Sequence, residues 1–194
     1  TKVYALTMYG EYAFHDGYFI KDSGTGIIPA VIKFSYDETQ GYVLKDYKKP
    51  MDGSAYMKSI QEMFPQELWD SCHSYSEEQI AELTKMEQAY AKKYLKKIGR
   101  KAPVGHYSDS EHPLLTDAGV SVEVSNKMCD LEKYQIFKYP DWIGNLEEIE
   151  DGVRYVYEMA LDKKAGEIIY TKSVYDTGRI VEQFRFDMYT GEEK

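Results

Sequence analysis

The sequence predicts an α+β protein: an N-terminal antiparallel sheet covered by helices over residues 54–98, then a smaller β-rich part that closes in an antiparallel meander. Three observations carry this reading. Between Val153 and Met188 three runs alternate apolar and polar residues, the period of strands with one buried face. Residues 3–47 alternate in the same way, and between the two stretches the apolar period lengthens to about 3.6.

At the N-terminus, Val3 to Tyr9 and Glu11 to Ile20 read as strands with a break at Gly10, and Ser23-Gly24-Thr25-Gly26 supplies a second break. Ile27 to Tyr36 follows as a strand, and Asp37-Glu38-Thr39-Gln40-Gly41 turns it into Tyr42 to Tyr47, so residues 3–47 are expected to form one four-stranded antiparallel unit. Asp52-Gly53-Ser54 offers a helix N-cap, and Tyr56, Ile60, Met63 and Phe64 line one face of a short helix ended by Pro65. That proline also suits the first turn of a helix over Gln66 to Cys72.

The best-marked helix begins at Ser76, which forms a capping-box pattern with Gln79. Glutamates crowd its start, lysines its end, and Gly99 stands just past it. Ile80, Leu83, Met86, Tyr90, Tyr94, Leu95 and Ile98 form its apolar stripe, expected to lie on the first sheet. Arg100 to Pro113 reads as a solvated linker, dividing the chain into domains of residues 1–101 and 102–194. Val120 to Val124 reads as a short strand, Ser125 to Tyr134 as a helix, and Tyr139 to Gly152 as irregular. The meander follows, with Val153, Tyr155, Tyr157, Met159 and Leu161 on one face of its first strand. Its turns repeat one recipe, Asp162-Lys163-Lys164-Ala165-Gly166 and Asp187-Met188-Tyr189-Thr190-Gly191.

A chain of 194 residues with 43% apolar content can bury a core. A net charge of -9 argues against nucleic acid or an anionic membrane surface as partner, since both demand clustered cations. The lysines near the end of the long helix answer to its dipole instead. No apolar stretch approaches the ~20 residues that cross a bilayer. The chain opens at Thr1 almost directly into a strand, which a removed leader or anchor explains as well as loss of an initiator Met. Cys72 and Cys129 lack metal-type spacing and read as small apolar residues, with a disulfide between them left open.

Candidate chemistry is sparse. His106, Asp109, Glu111 and His112 lie close together and are the candidate metal ligands, although their spacing matches no known zinc pattern. His15-Asp16 is set aside because adjacent side chains do not readily meet at one point. There is no HExxH, no phosphate-binding glycine loop, no nucleophile elbow and no serine-acylating set. No catalytic residue and no cofactor are assigned, and the ligand-binding residues are left unknown. The 19 tyrosines, concentrated in the strands, fit half-buried sheet faces or an aromatic surface for carbohydrate or peptide.

Val3-Tyr4-Ala5-Leu6, Ile28-Pro29-Ala30-Val31-Ile32, Gly41 to Tyr47, and above all Pro50-Met51-Asp52-Gly53-Ser54-Ala55-Tyr56 through Phe64-Pro65 and Leu68-Trp69 form an ordered set of anchors. Over the first half of the chain this set resembles the extracytoplasmic C-terminal segment that follows the membrane metallopeptidase portion of beta-lactam-sensor antirepressor-type proteins of Firmicutes, and of related anchored proteins. The resemblance implies a module outside the membrane of a Gram-positive cell, facing a ligand or protein partner, with an anchor upstream as its tie to the membrane. The peptidase and its zinc motif are missing from this sequence. The expectation is therefore a non-enzymatic sensory or binding module. Two alternatives stand: a metal-dependent hydrolase of a cell-envelope substrate using His106, Asp109, Glu111 or His112, and an interaction or dimerisation domain using exposed tyrosine faces.

Overall fold

A computed structural model, described here for residues 1–131 and 138–194, has the α+β fold with two sheets. The strands are β1 Lys2–Thr7, β2 Gly10–His15, β3 Tyr18–Gly24, β4 Ile28–Asp37, β5 Gly41–Lys48, β6 Val104–His106, β7 Gly144–Glu150, β8 Val153–Asp162, β9 Glu167–Val174 and β10 Ile180–Asp187. The helices are α1 Tyr56–Met63, α2 Glu77–Lys97 and α3 Val122–Cys129. One sheet has the order β1-β4-β5, and the other β10-β9-β8-β7-β2-β3-β6, with β6 parallel to β3. Two compact units result: residues 1–11 with 23–100, and residues 12–22 with 101–194.

The expected four-stranded unit of residues 3–47 is thus divided. Glu11 to Ile20 is a hairpin rather than one strand, because Asp16 and Gly17 both adopt positive φ, 48° and 80°, the geometry of a tight primed turn. The hairpin joins the larger sheet through β2 and β3.

In the first unit, β4 pairs with both neighbours, setting Tyr4 opposite Val31 on one face and Val3 opposite Ile32 on the other. The Val31 face packs against α1 and the turns after it, where Ile60, Phe64 and Cys72 are buried with Tyr4, Tyr56, Met63, Leu68 and Trp69 around them. The polar ends of these aromatics are satisfied. The Trp69 indole donates to the Phe64 carbonyl at 3.0 Å, and the Tyr56 and Tyr75 hydroxyls both donate to the Cys72 carbonyl. Asp52 caps nothing with its side chain. Ser59 fixes the entry to α1 in its place, accepting from the Met51 amide and donating to the Tyr56 carbonyl. Residues 66–72 form two 3-10 turns, Gln66–Leu68 and Asp70–Cys72, in place of the expected helix.

The Ser76–Gln79 capping box of α2 is present in both hydrogen bonds. At its other end Gly99 turns left-handed at φ 68°. The Arg100 and Gly99 amides close onto the Leu95 and Lys96 carbonyls, a Schellman stop. Its apolar stripe is wider than its contact. Ala91 and Leu95 are buried and Leu83 and Ile98 half-buried, whereas Ile80, Met86, Tyr90 and Tyr94 are exposed. Cys72 and Cys129 are free thiols.

In the second unit α3, N-capped by Ser121, occupies the stretch expected as a strand from Val120. The expected 125–134 helix stops at Cys129, with Asp130 and Leu131 past its end, and residues 132–134 lie outside the described residues. Val124 and Met128 of α3 pack with Tyr157, Met159, Ile168, Tyr170, Phe186 and Met188 from the inner face of the meander. The meander has a fourth strand, β7, in the stretch expected to be irregular, in register with β8 from Gly144↔Met159 to Glu150↔Val153.

Two of the three acidic side chains of β7 are answered, and Glu148 is exposed. Glu147 pairs with Arg154 at 3.0 Å, and Glu150 accepts from Lys172 at 2.8 Å, from Lys138 at 3.3 Å and from the Tyr157 hydroxyl. These hydrogen bonds, Lys172's first, hold the Glu150 carboxyl down at about 2. Burial alone would lower the Lys172 pKa, yet its bonds to Glu150 and Tyr157 raise it.

Two predictions follow from these turns and pairs. Gly191, at φ 66°, has Lys127 Cδ at 3.0 Å and Met128 Cε at 3.1 Å from where a Cβ would stand, while Gly41, at φ 74°, has open space. Gly41→Ala is expected to cost the backbone strain alone, about 1–2 kcal/mol, and Gly191→Ala more, as urea midpoints will show. For Glu150, the unfolded chain binds the proton first on acidification, so its contribution to stability is complete above about pH 4.3 and is lost as pH falls toward about 2. Denaturation curves between pH 5 and pH 2 are expected to be flatter for Glu150→Gln than for the parent.

Candidate functional site

Apart from the Glu150 network, the fold draws titratable groups together in the second unit at the end of β2. His15 closes that strand opposite Leu146 of β7, and its ring is 3% exposed. His15 Nδ1 stands 3.4 Å from His112 Nε2, and on the ring's other side Nε2 stands 3.6 Å from Asp22 Oδ1 of β3. His112 stacks flat on Tyr107, with centroids 3.7 Å apart, and meets the Trp142 ring edge-on at 4.7 Å. Trp142 is itself 4.8 Å from the His15 ring. The Ile143 amide donates to the Pro113 carbonyl at 2.7 Å, tying the chain next to His112 to the chain next to Trp142.

His15 and Asp16 do diverge. Asp16 Oδ1 accepts from the backbone and side-chain amides of Asn145, both at 2.9 Å. The Asp16 carboxylate lies where a Cβ on Gly144 would stand, so a side chain at residue 144 would displace that carboxylate from Asn145. Burial lowers the His15 pKa first, and His112 adds to this, against the opposing pull of Asp22 and Asp16. A histidine held neutral in this way stabilises the fold fully above its unfolded pKa of about 6.5, and that stability is lost as pH falls.

The metal set expected from sequence does not assemble. Asp109 turns back to accept from the His106 amide at 2.8 Å, and His106 and Glu111 are exposed. His112 alone of the four joins the cluster. Among the described residues no three His, Cys, Asp or Glu side chains gather as metal ligands would. Arg100 to Pro113 is mostly exposed and begins at a unit boundary, as expected of a linker, but part of it is built into the second unit: β6 pairs with β3, and Tyr107 and His112 pack on His15.

What the cluster can do chemically is take up and pass protons. His112 has His15 as its hydrogen-bond partner and no hydroxyl or thiol to activate, so it forms no nucleophile–base pair. The Cys72 thiol is buried, and burial pushes its pKa up, away from reactive thiolate.

The first unit carries a candidate of another kind, on the sheet face turned away from α1. Cross-strand register places Tyr36 opposite Tyr42, Phe34 opposite Leu44 and Ile32 opposite Tyr47. Tyr36 is 69% exposed, Tyr42 66%, Leu44 57% and Tyr47 46%, and the Tyr36 and Tyr42 rings meet edge-to-face at 5.5 Å. The Tyr47 hydroxyl is anchored to Thr7 Oγ1 at 2.9 Å.

Comparison with family models, with curated proteins and with solved structures gives no match. Among the described residues no helix is long and apolar enough to cross a membrane.

Since His106 and Glu111 serve no shared centre, His106→Ala and Glu111→Ala are expected to leave the thermal midpoint unchanged, within about 0.5 kcal/mol, with or without added zinc. His15→Ala, which empties a buried aromatic site, is expected to cost about 2–4 kcal/mol in the same scans.

Proposed function

We propose that this chain is a non-enzymatic binding module that works outside the cytoplasmic membrane, tethered by an upstream anchor, and that the outer face of its three-stranded sheet receives a protein partner. The observation that carries the reading is the row of uncovered rings at Tyr36, Tyr42 and Tyr47 with Leu44 among them. Tyrosines hold a large apolar area on few rotatable bonds, and a contiguous patch of this kind marks an interaction surface more than a soluble face.

The edge of the sheet is a poorer receptor than its face. β5 carries Lys45 and Lys48, and its pairing with β4 shifts register between Lys33 and Phe34, two devices that blunt strand addition. The resemblance of residues 3–69 to extracytoplasmic segments of anchored sensor proteins is the ground on which that location is proposed. The hydrolase alternative draws no support from His106, Asp109, Glu111 and His112, which do not converge on a point.

A photo-crosslinking residue placed at position 42, in the full-length protein within the cell that makes it, tests the reading. Position 189, an exposed tyrosine of the second unit, serves as control. One discrete protein adduct from position 42 and none from 189, reached by protease added to intact cells, is the expected result. Adducts alike from both positions, or none, would overturn it, and so would an adduct of twice the chain's own mass, which makes the face a self-association surface.

A further inference from the structure

We propose that His15 and His112 form a proton-operated latch that holds residues 106–113 against the end of β2 at neutral pH and releases them on acidification. The inference stands independently of the binding face.

The geometry sets how many protons the pair tolerates. With Asp22 Oδ1 at 3.6 Å from His15 Nε2, the His15 proton belongs on Nε2, which leaves Nδ1 with a lone pair. His112 Nε2–H can then donate to it across 3.4 Å. A first added proton on His112 Nδ1 leaves this bond in place and makes it charge-assisted. A second proton has to enter at His15 Nδ1. Two N–H groups then point at each other and two positive rings lie side by side, one of them buried.

The groups facing the pair do not neutralise that state. Asp22 of β3 compensates one charge. Asp16, in the β2–β3 turn, is engaged by Asn145. Tyr107 and Trp142 present neutral rings, and Asp141 lies near Tyr107, where with burial and Asp22 it raises the phenol's pKa. Burial lowers the affinity of His15 for the second proton. The releasing step, the protonation of His15, therefore falls below the ordinary histidine value of about 6.5.

Release has a defined extent. The Tyr107–His112 stack can leave as a unit, because their mutual contact does not involve His15. What holds the stack to the body is the imidazole bond, the edge contacts of its rings with His15 and Trp142, and the Pro113–Ile143 backbone bond. β6 remains paired to β3 through Phe19↔Val104 and Ile20↔Gly105, and its last pair, Lys21↔His106, opens with the latch.

Trp142 is a built-in reporter, in van der Waals range of both rings. The chain has 2 tryptophans, so Trp69→Phe leaves Trp142 as the sole indole, excited on its red edge where the 19 tyrosines do not absorb. In that variant the emission of Trp142 is expected to change in a single step below about pH 6.5. In the parent, amide exchange of residues 106–113, corrected for intrinsic rate, is expected to rise roughly tenfold across that step while residues 153–188 stay protected. Adding His112→Phe keeps a ring on Tyr107 and removes the imidazole, and the emission step is expected to vanish. His112→Gln, with the same expectation, substitutes if the phenylalanine variant fails to fold. An emission step that survives loss of the imidazole, exchange at 106–113 that ignores pH, or exchange rising equally in 153–188 would overturn the latch.

Discussion

Each sheet of this protein depends on a hairpin turn in which one aspartate closes the chain. In Asp37 to Gly41, Asp162 to Gly166 and Asp187 to Gly191, the first residue's Oδ1 accepts from the amides two and three positions on. The fifth residue is a glycine at φ between 66° and 74°. The carboxylate replaces the backbone partners that the turn lacks, and the glycine supplies a conformation that a Cβ would oppose. Between them they fix register. A slip of one residue would exchange the faces of β8, carrying Tyr157 and Met159 out of the core and Glu158 into it. The same constraint in the first unit keeps Tyr36, Tyr42 and Leu44 together on the outer face and Val31 on the inner one.

Where period and turn chemistry agree, the sequence is legible. The meander, the capping box at Ser76 and the turn recipe are all local patterns, and the fold shows each of them. β7 escaped because Gly-Asn-Leu-Glu-Glu-Ile-Glu has neither strand propensity nor clean alternation. It pairs in the sheet because Arg154 and Tyr157 of the adjoining β8, with Lys138 and Lys172, receive the carboxylates of Glu147 and Glu150, partners that the pattern of β7 itself does not show. The Asp16-Gly17 turn was readable in principle, since Asp-Gly between alternating residues is a strong hairpin signal, but the apolar run through Phe19 and Ile20 masked it.

The candidate site was harder to see for a different reason. His15 and His112 are 97 positions apart, and nothing local to either announces the other. Spacing drew attention to His106, Asp109 and Glu111, whose nearness in sequence carries no consequence once Asp109 turns onto the His106 backbone. The aromatic face of the first sheet lies between these cases. Alternation predicts that Tyr36, Tyr42 and Leu44 share a side, yet which side stays bare depends on where α1 packs.

The second unit is discontinuous in the chain, being assembled from residues 12–22 and everything after residue 100. Phe14, Phe19 and Ile20 of its early hairpin are deeply buried, yet the strands beside them, β6 and β7, are synthesised some 80 or more residues later. A nascent chain therefore carries an apolar ribbon that must wait through the whole of α1 and α2 before its neighbours emerge. Such a topology delays closure of the larger sheet to the end of synthesis, makes its assembly slow relative to the locally wired meander, and leaves that apolar ribbon uncovered on the unfinished polypeptide.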